Sequence, residues 1–267
     1  AAFQCRDRAW MERNIASGLH AVLTDVTSAY GVLSVQGPNA RRLMSKLTDA
    51  RLSPDEFPFG TCNEIDLGYG RALANRLTFV GELGWELYIP SEFLTAIYDR
   101  VIDAGRDLDL KHAGYHALEH LRSERAYREF SLDLTPDDTP YEAGLGFTVK
   151  LDKAGGFIGR ESLMRDRDRK MPLKKRLVMF KLKNPEADLH RDEIIWLGGK
   201  IVGYIRSGAY GFTLGRAVGM GYVNHPAGVD RRLVDEGRFE IEIAGKLHEA
   251  EASLHAFYEP KGERTRW

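Results

Sequence analysis

Two glutamates, Glu82 and Glu86, flank a glycine in the segment Val80-Gly81-Glu82-Leu83-Gly84-Trp85-Glu86. The two glycines allow a tight backbone bend, so the carboxylates fall on either side of a turn. A carboxylate facing a cleft accepts two parallel N–H bonds, the pattern that a 2-amino-4-oxo pterin ring offers. A plain hairpin with solvated glutamates satisfies the same spacing. His112, His116 and His120 recur at four-residue intervals and fall on one face of a helix. A metal there requires a further ligand, usually a carboxylate or cysteine, which the sequence does not specify. Pairing with Glu119, Glu124 or the backbone is therefore the expectation. Gly68-Tyr69-Gly70 runs on into a strand pattern instead of a helix, against a dinucleotide loop. Ser207-Gly208-Ala209-Tyr210-Gly211 reads as a flexible turn between strands, with an anion-holding loop as the alternative. No P-loop, GxSxG or HExxH motif occurs.

The elements that must position these residues alternate between strand and helix in the first half. Tyr30–Val35 reads as a strand, and Gly37-Pro38-Asn39 turns it into a helix burying Leu43, Met44 and Leu47. Strands are expected at 63–67 and 72–79, joined across Gly68 and Gly70, and again at 85–89. Ser91 is placed to cap a helix that buries Phe93, Leu94, Ile97 and Val101 and stops near Gly105. A second helix, 113–127, should turn Leu118 and Leu121 inward and leave Glu124/Arg128 as an exposed i,i+4 pair. A Pro- and Asp-rich connection follows at 133–142, then a strand-like stretch at 144–152 and a short helix at 159–168. From Arg176 onward, six short strands at close spacing suggest a small barrel or sandwich: 176–182, 193–196, 200–207, 217–223, 239–243 and 246–254. The fold class is α+β, with domains expected at 1–172 and 173–267.

Composition places few constraints on the chain but excludes some classes. At 267 residues, 43% hydrophobic and 29% charged, it can build one large core or two modest ones. A net charge of −1 gives no electrostatic reason to expect nucleic acid or an anionic membrane as partner. The basic stretches Arg165–Lys170 and Lys174–Arg176 read as a solvated helix end and a loop. Two cysteines, Cys5 and Cys62, cannot form a disulfide framework and have no CxxC spacing. Cytoplasm or mitochondrial matrix is the expected compartment. No apolar run approaches the roughly 20 residues that span a bilayer. The chain opens Ala1-Ala2-Phe3-Gln4 without Met, and the expectation is that leading residues are absent.

Several segments together resemble the glycine-cleavage T-protein superfamily, in particular its branch fused to FAD-dependent dimethylglycine and sarcosine dehydrogenases. They include Thr24–Ser28, Gln36-Gly37-Pro38, Phe57–Thr61, Val80–Pro90, Ala113–Leu118, Thr139–Phe147, Lys150–Asp152, Phe157–Glu161, Ser207–Gly211 and Gly219–Val223, in the family's order. The resemblance implies a folate-binding aminomethyltransferase-type region followed by a C-terminal β-barrel. It places the pterin on Glu86, with Glu82 as second choice and Tyr115, Arg122 and Tyr258 as further folate contacts. Simple T-proteins carry a folate-contacting arginine where this chain has Leu118, so that contact does not transfer. The implied chemistry is capture of the one-carbon unit of oxidised dimethylglycine or sarcosine as 5,10-methylenetetrahydrofolate. The family's catalytic aspartate lies upstream of Ala1, so no catalytic residue is assigned and the chain is expected to be incomplete alone. Tetrahydrofolate is the implied cofactor, and FAD only through a separate upstream domain or a flavin dehydrogenase partner. The alternatives are a non-catalytic folate-binding module and a folate-dependent demethylase of another donor. An iron–sulfur-maintenance relative is disfavoured, since Glu82–Glu86 lacks that branch's cysteine.

Overall fold

The computed structural model describes residues 2–168 and 172–267. Arg169 and Lys170 of the first basic stretch lie outside the described residues. Packing divides the chain into two compact units. The first holds the described residues up to Thr78, Glu82–Lys111 and Thr265–Trp267; the second holds Phe79–Gly81 and the described residues of His112–Arg264. The helix after His112 groups with the second unit because it packs on that unit's strands.

The first unit opens with α1 (Gln4–Asn14), a charged helix that buries none of its residues. Strand β1 (Tyr30–Gln36), the short helix α2 (Ala40–Met44), β2 (Cys62–Leu67), β3 (Gly70–Asn75), β4 (Gly84–Pro90) and α3 (Leu94–Gly105) follow. The strands form an antiparallel sheet in the order β1-β4-β3-β2. Alternation assigns its faces. Trp85, Leu87 and Ile89 of β4 join Ala72, Ala74, Ile65 and Leu67 in a core that Leu43, Met44, Ile97 and Val101 of the helices cover. Phe57 meets Trp85 edge-on, with ring centroids 6.1 Å apart. Two expectations are corrected here. Strand β3 ends at Asn75, short of Phe79, because Arg76 N–H donates to Thr61 O at 2.9 Å and its side chain turns inward. Ser91 makes no helix cap; its hydroxyl donates to Ser28 O at 2.9 Å, and a 3₁₀ turn over Ser91–Phe93 leads into α3.

The second unit begins with α4 (Tyr115–Glu124) and α5 (Arg160–Arg167). A closed antiparallel barrel follows, made of β5 (Lys175–Leu182), β6 (Ile194–Leu197), β7 (Lys200–Gly211), β8 (Arg216–Asn224), β9 (Phe239–Ile243) and β10 (Lys246–Ser253), with α6 (Arg231–Glu236) before β9. The strand order is β10-β5-β8-β7-β6-β9. Val178, Phe180, Ile195, Ile205, Val223, Phe239 and Ile241 fill it. The mixed α+β class and the C-terminal barrel are as the sequence indicated.

Three local expectations fail in this unit. The stretch 144–152 is a series of turns around a 3₁₀ segment at Gly146–Thr148, not a strand. Leu145 N–H donates to Pro140 O at 2.7 Å, so local bonds take the place of a ladder. Ser207–Gly211 is the second half of β7, not a loop. A Cβ on Gly208 would lie 2.4 Å from Leu189 O, so this glycine serves close backbone approach instead of a turn. The polarity of α4 is inverted: Leu121 is 39% exposed, while Arg122, Ser123 and Glu124 are its buried residues.

Candidate functional site

In the first unit, the pairing of β4 places Glu86 opposite Ser34 of β1 and Asn75 of β3, with Cys62 of β2 opposite Asn75. The neighbouring row on the same face is Val32, Tyr88, Leu73 and Glu64. This face is the reverse of the Trp85 core. It carries one polar row and one largely apolar row, side by side. Glu86 is half-buried, and the Tyr88 hydroxyl donates to its Oε2 at 3.3 Å. Burial, and then the Glu86 charge, push the Tyr88 hydroxyl pKa up, so Tyr88 stays protonated and a donor. Glu82 is half-buried on the turn before β4. That turn contains Gly81 at φ +76°, and Gly37 N–H donates to Leu83 O at 2.8 Å.

In the second unit, α4 and the loop after it bring Tyr115 and Arg122 into one cluster. Arg122 is completely buried. Its Nε donates to Glu119 Oε2 at 2.9 Å, and its Nη1 to Asp133 Oδ2 at 2.9 Å and to Tyr127 O at 3.0 Å. Nη2 donates to Ser207 Oγ at 3.0 Å, and Nε lies 3.5 Å from Glu129 Oε2. The Phe79 ring sits 5.9 Å from its Cζ. A tight loop delivers Asp133: Asp133 N–H donates to Glu129 O, and Glu129 N–H donates to Asp133 Oδ2, both at 2.8 Å. Ser131, at φ +78°, closes that loop with a 2.7 Å bond from its N–H to Leu134 O.

Three carboxyls converge on one guanidinium, and two of them, Glu119 and Glu129, are shifted in opposite directions. Burial would raise Glu119, but the hydrogen bond and charge of Arg122 outweigh it and hold Glu119 below the usual range. Burial, followed by the hydrogen bond to Glu119 and its charge, pushes Glu129 up. Glu119 Oε1 and Glu129 Oε2 are both buried oxygens with no donor of their own, the arrangement of two carboxyls sharing one proton. Tyr115, 63% exposed, donates to Glu129 Oε1 at 3.2 Å.

Tyr258 does not join this cluster. Its carbonyl accepts from Arg125 Nη1 at 3.1 Å, and its ring centroid lies 5.7 and 5.6 Å from the guanidiniums of Arg125 and Arg264. The expected exposed Glu124/Arg128 pair is absent. Glu124 is buried and accepts from Thr213 N–H (2.8 Å), Thr213 Oγ1 (3.0 Å) and Leu214 N–H (3.0 Å), pinning the β7–β8 turn. Arg128 instead donates to the carbonyls of Ala126 and Ala143. The His112/His116/His120 run is divided in use: His120 Nδ1 lies 2.8 Å from Tyr210 O and its ring packs on Phe212, whereas His112 and His116 are exposed. Among the described residues, no group of His, Cys, Asp and Glu could hold a metal. Glu119 was legible as an i,i−3 partner of Arg122. Nothing local pointed to Glu129 or Asp133.

An antiparallel four-stranded sheet unit, followed in sequence by a helix packed on a six-stranded barrel, defines an α+β class. A family model described as the GCVT N-terminal domain matches residues 1–153, and one described as the glycine cleavage T-protein C-terminal barrel domain matches 175–259. The chain belongs to the glycine cleavage T-protein family. It is 39% identical over 98% of its length to 4-methylaminobutanoate oxidase (formaldehyde-forming) of Paenarthrobacter nicotinovorans, covering 31% of that protein. It is 37% identical over 91% of its length to mitochondrial sarcosine dehydrogenase of Homo sapiens, covering 26% of it. The chain thus spans about a third or less of these relatives. The solved structure of glycine cleavage system aminomethyltransferase T from Bartonella henselae shares the fold, with a TM-score of 0.79 and 24% identity over 97% of this chain and 67% of that one. The chain is therefore an aminomethyltransferase-type domain related to sarcosine dehydrogenases. No helix among the described residues is long and apolar enough to cross a membrane.

Proposed function

We propose that this chain is the tetrahydrofolate-binding, one-carbon-accepting part of an N-methylamine-oxidising enzyme, with residues 1–172 and 173–267 as its two domains. The observation that supports it best is Glu86: a half-buried carboxylate set between Ser34 and Asn75, facing away from the hydrophobic core. Tyr88 donates to one of its oxygens, and the remaining lone pairs suit the paired N–H groups of a pterin. The apolar Val32–Tyr88–Leu73 row alongside suits a flat ring. Glu82 is proposed as the secondary acceptor. In the second unit, the exposed Tyr115 is proposed as a folate contact, and Arg122 acts by fixing Glu119. Tyr258, whose ring lies near Arg125 and Arg264, is proposed as the remaining contact.

When bound, tetrahydrofolate supplies the nucleophilic N5 that accepts the one-carbon unit. This chain's own residues bind and orient it, and no proton-transfer residue is assigned among them. FAD belongs to this reading only through a separate dehydrogenase domain or subunit. The donor is an N-methyl amino acid such as sarcosine or dimethylglycine. The similarity to a 4-methylaminobutanoate oxidase favours, as a second reading, a longer N-methylamino acid.

Titration of the full chain with tetrahydrofolate tests the binding. Glu86→Gln should weaken affinity by about 1–3 kcal/mol, the cost of losing a charged acceptor. An unchanged affinity removes Glu86 from the site. Single-turnover capture of formaldehyde then separates an enzyme from a binding module.

A further inference from the structure

The polar row on the Glu86 face contains one more side chain with unused hydrogen-bonding capacity. Asn75 is the last residue of β3, half-buried, with Glu86 directly opposite on β4 and Cys62 opposite on β2. Ala72 and Ala74 of the same strand enter the core, so alternation turns Leu73 and Asn75 to the Glu86 face. The backbone is held on both sides: Leu77 N–H donates to Asn75 O at 3.0 Å, and Arg76 N–H donates to Thr61 O at 2.9 Å. The ladder therefore sets the direction of the side chain at Cβ. The side-chain amide itself has no hydrogen-bond partner among the described residues. Its donors and its acceptor are thus open to a ligand.

Across three neighbouring strands, about 4.8 Å apart, the row runs Ser34, Glu86, Asn75. Ser34 Oγ accepts from Gln36 Nε2 at 3.2 Å and keeps a second lone pair. The row thus offers one acceptor, a two-oxygen acceptor and an amide that donates. The 2-amino-4-oxo edge of a pterin is the complement: its amino group and N3–H donate, and its O4 accepts. With N3–H and one amino N–H on Glu86, the second amino N–H and O4 fall on opposite flanks of the carboxylate. Ser34 suits the amino flank, and Asn75 Nδ2 suits O4.

We infer that Asn75 is a binding and specificity residue for the pterin, donating from Nδ2 to O4 at position 4 of the ring. This rests on Glu86 holding the pterin, and adds to it the group that meets position 4. A 4-amino ring presents a donor in place of O4 and no hydrogen on N3, so it keeps one of the two bonds to Glu86. The Asn75 amide can turn to accept from a 4-amino group. Its part is therefore isolated by side chains that cannot donate: leucine, of similar volume, and aspartate, which only accepts.

The full chain is titrated by calorimetry with tetrahydrofolate and with its 4-amino analogue, under reducing conditions, and the ligand-free Tm of each variant checks its fold. Asn75→Leu should bind tetrahydrofolate about five- to tenfold more weakly than the parent, the loss of one neutral hydrogen bond. Asn75→Asp meets O4 with a lone pair and a 4-amino group with an acceptor. The affinity ratio of the 4-oxo to the 4-amino ligand should therefore fall by about tenfold or more. Comparing two ligands on one protein cancels any general loosening of the sheet. Parent-like tetrahydrofolate affinity in Asn75→Leu, or a parent-like ratio in Asn75→Asp, overturns the inference. If Glu86→Gln still weakens binding in that case, the Glu86 reading stands without Asn75. No effect of Glu86→Gln, or no binding by the parent, overturns both.

Discussion

Replacing Arg122 by Met tests whether the second unit is organised around one buried guanidinium. Arg122 is fully buried, and so is its partner Asp133. Removing the guanidinium leaves Asp133 Oδ2 with the Glu129 N–H as its remaining donor, and takes the cation from Glu119 and the donor from Ser207 Oγ. Breaking one side of a buried ion pair costs about 3–5 kcal/mol, because the surviving charge is left in a low-dielectric site. For a unit of this size that corresponds to a fall in Tm of about 6–20 °C. Met fills similar volume, so little of the loss should come from a cavity. Arg122→Lys keeps the charge but loses the fork and should fall between. The decisive comparison is a double-mutant cycle with Asp133→Asn, measured by urea denaturation with far-UV circular dichroism. Asp133→Asn alone leaves the cation undercompensated, whereas the double variant removes both charges and should recover at least about 1 kcal/mol relative to additivity. A single-variant loss below about 1 kcal/mol, or strict additivity in the cycle, refutes the buried hub.

Glu124→Ala strips the acceptor from Thr213 N–H and Leu214 N–H. It should cost about 1–3 kcal/mol and abolish hydrogen-exchange protection at those two amides while the β5–β8 ladder stays protected; unchanged protection at 213 and 214 contradicts it. Glu129→Gln tests the shared proton through pH. A raised folded-state pKa means that Glu129 contributes stability below the ordinary glutamate value of about 4.3 and loses it as pH rises through its folded value. Glu119, held low, contributes stability above that value and loses it as pH falls through its folded value. Stability from the pair therefore peaks between the two folded values. Glu129→Gln removes the alkaline-side loss, so the Tm difference, variant minus parent, should rise as pH increases from about 5 to about 8; a flat difference across that range contradicts the shared proton.

The sequence by itself determined the parts that depend on repeating local pattern. The strand pattern at 85–89 and the closely spaced apolar strands after Arg176 marked β4 and the barrel strands, and the apolar stripe Ile97/Val101 marked α3. The choice of Glu86 came from the family resemblance and not from local pattern, whereas the helical pattern put Tyr115 and Arg122 on one helix. The helix α1 left no such trace, since nothing on it is buried. Tertiary structure alone decided which side of α4 is inside. Periodicity assumes that the apolar side is buried, but here the buried side is Arg122-Ser123-Glu124. Its partners, Ser207 and Thr213, lie 85 and 89 residues away. The Ser34–Glu86–Asn75 row likewise exists only once β1, β4 and β3 pair in register. Apolar burial is additive along a segment and can be read locally. A buried polar side chain is tolerable only when a specific donor or acceptor arrives from elsewhere in the chain, and folding alone brings it there.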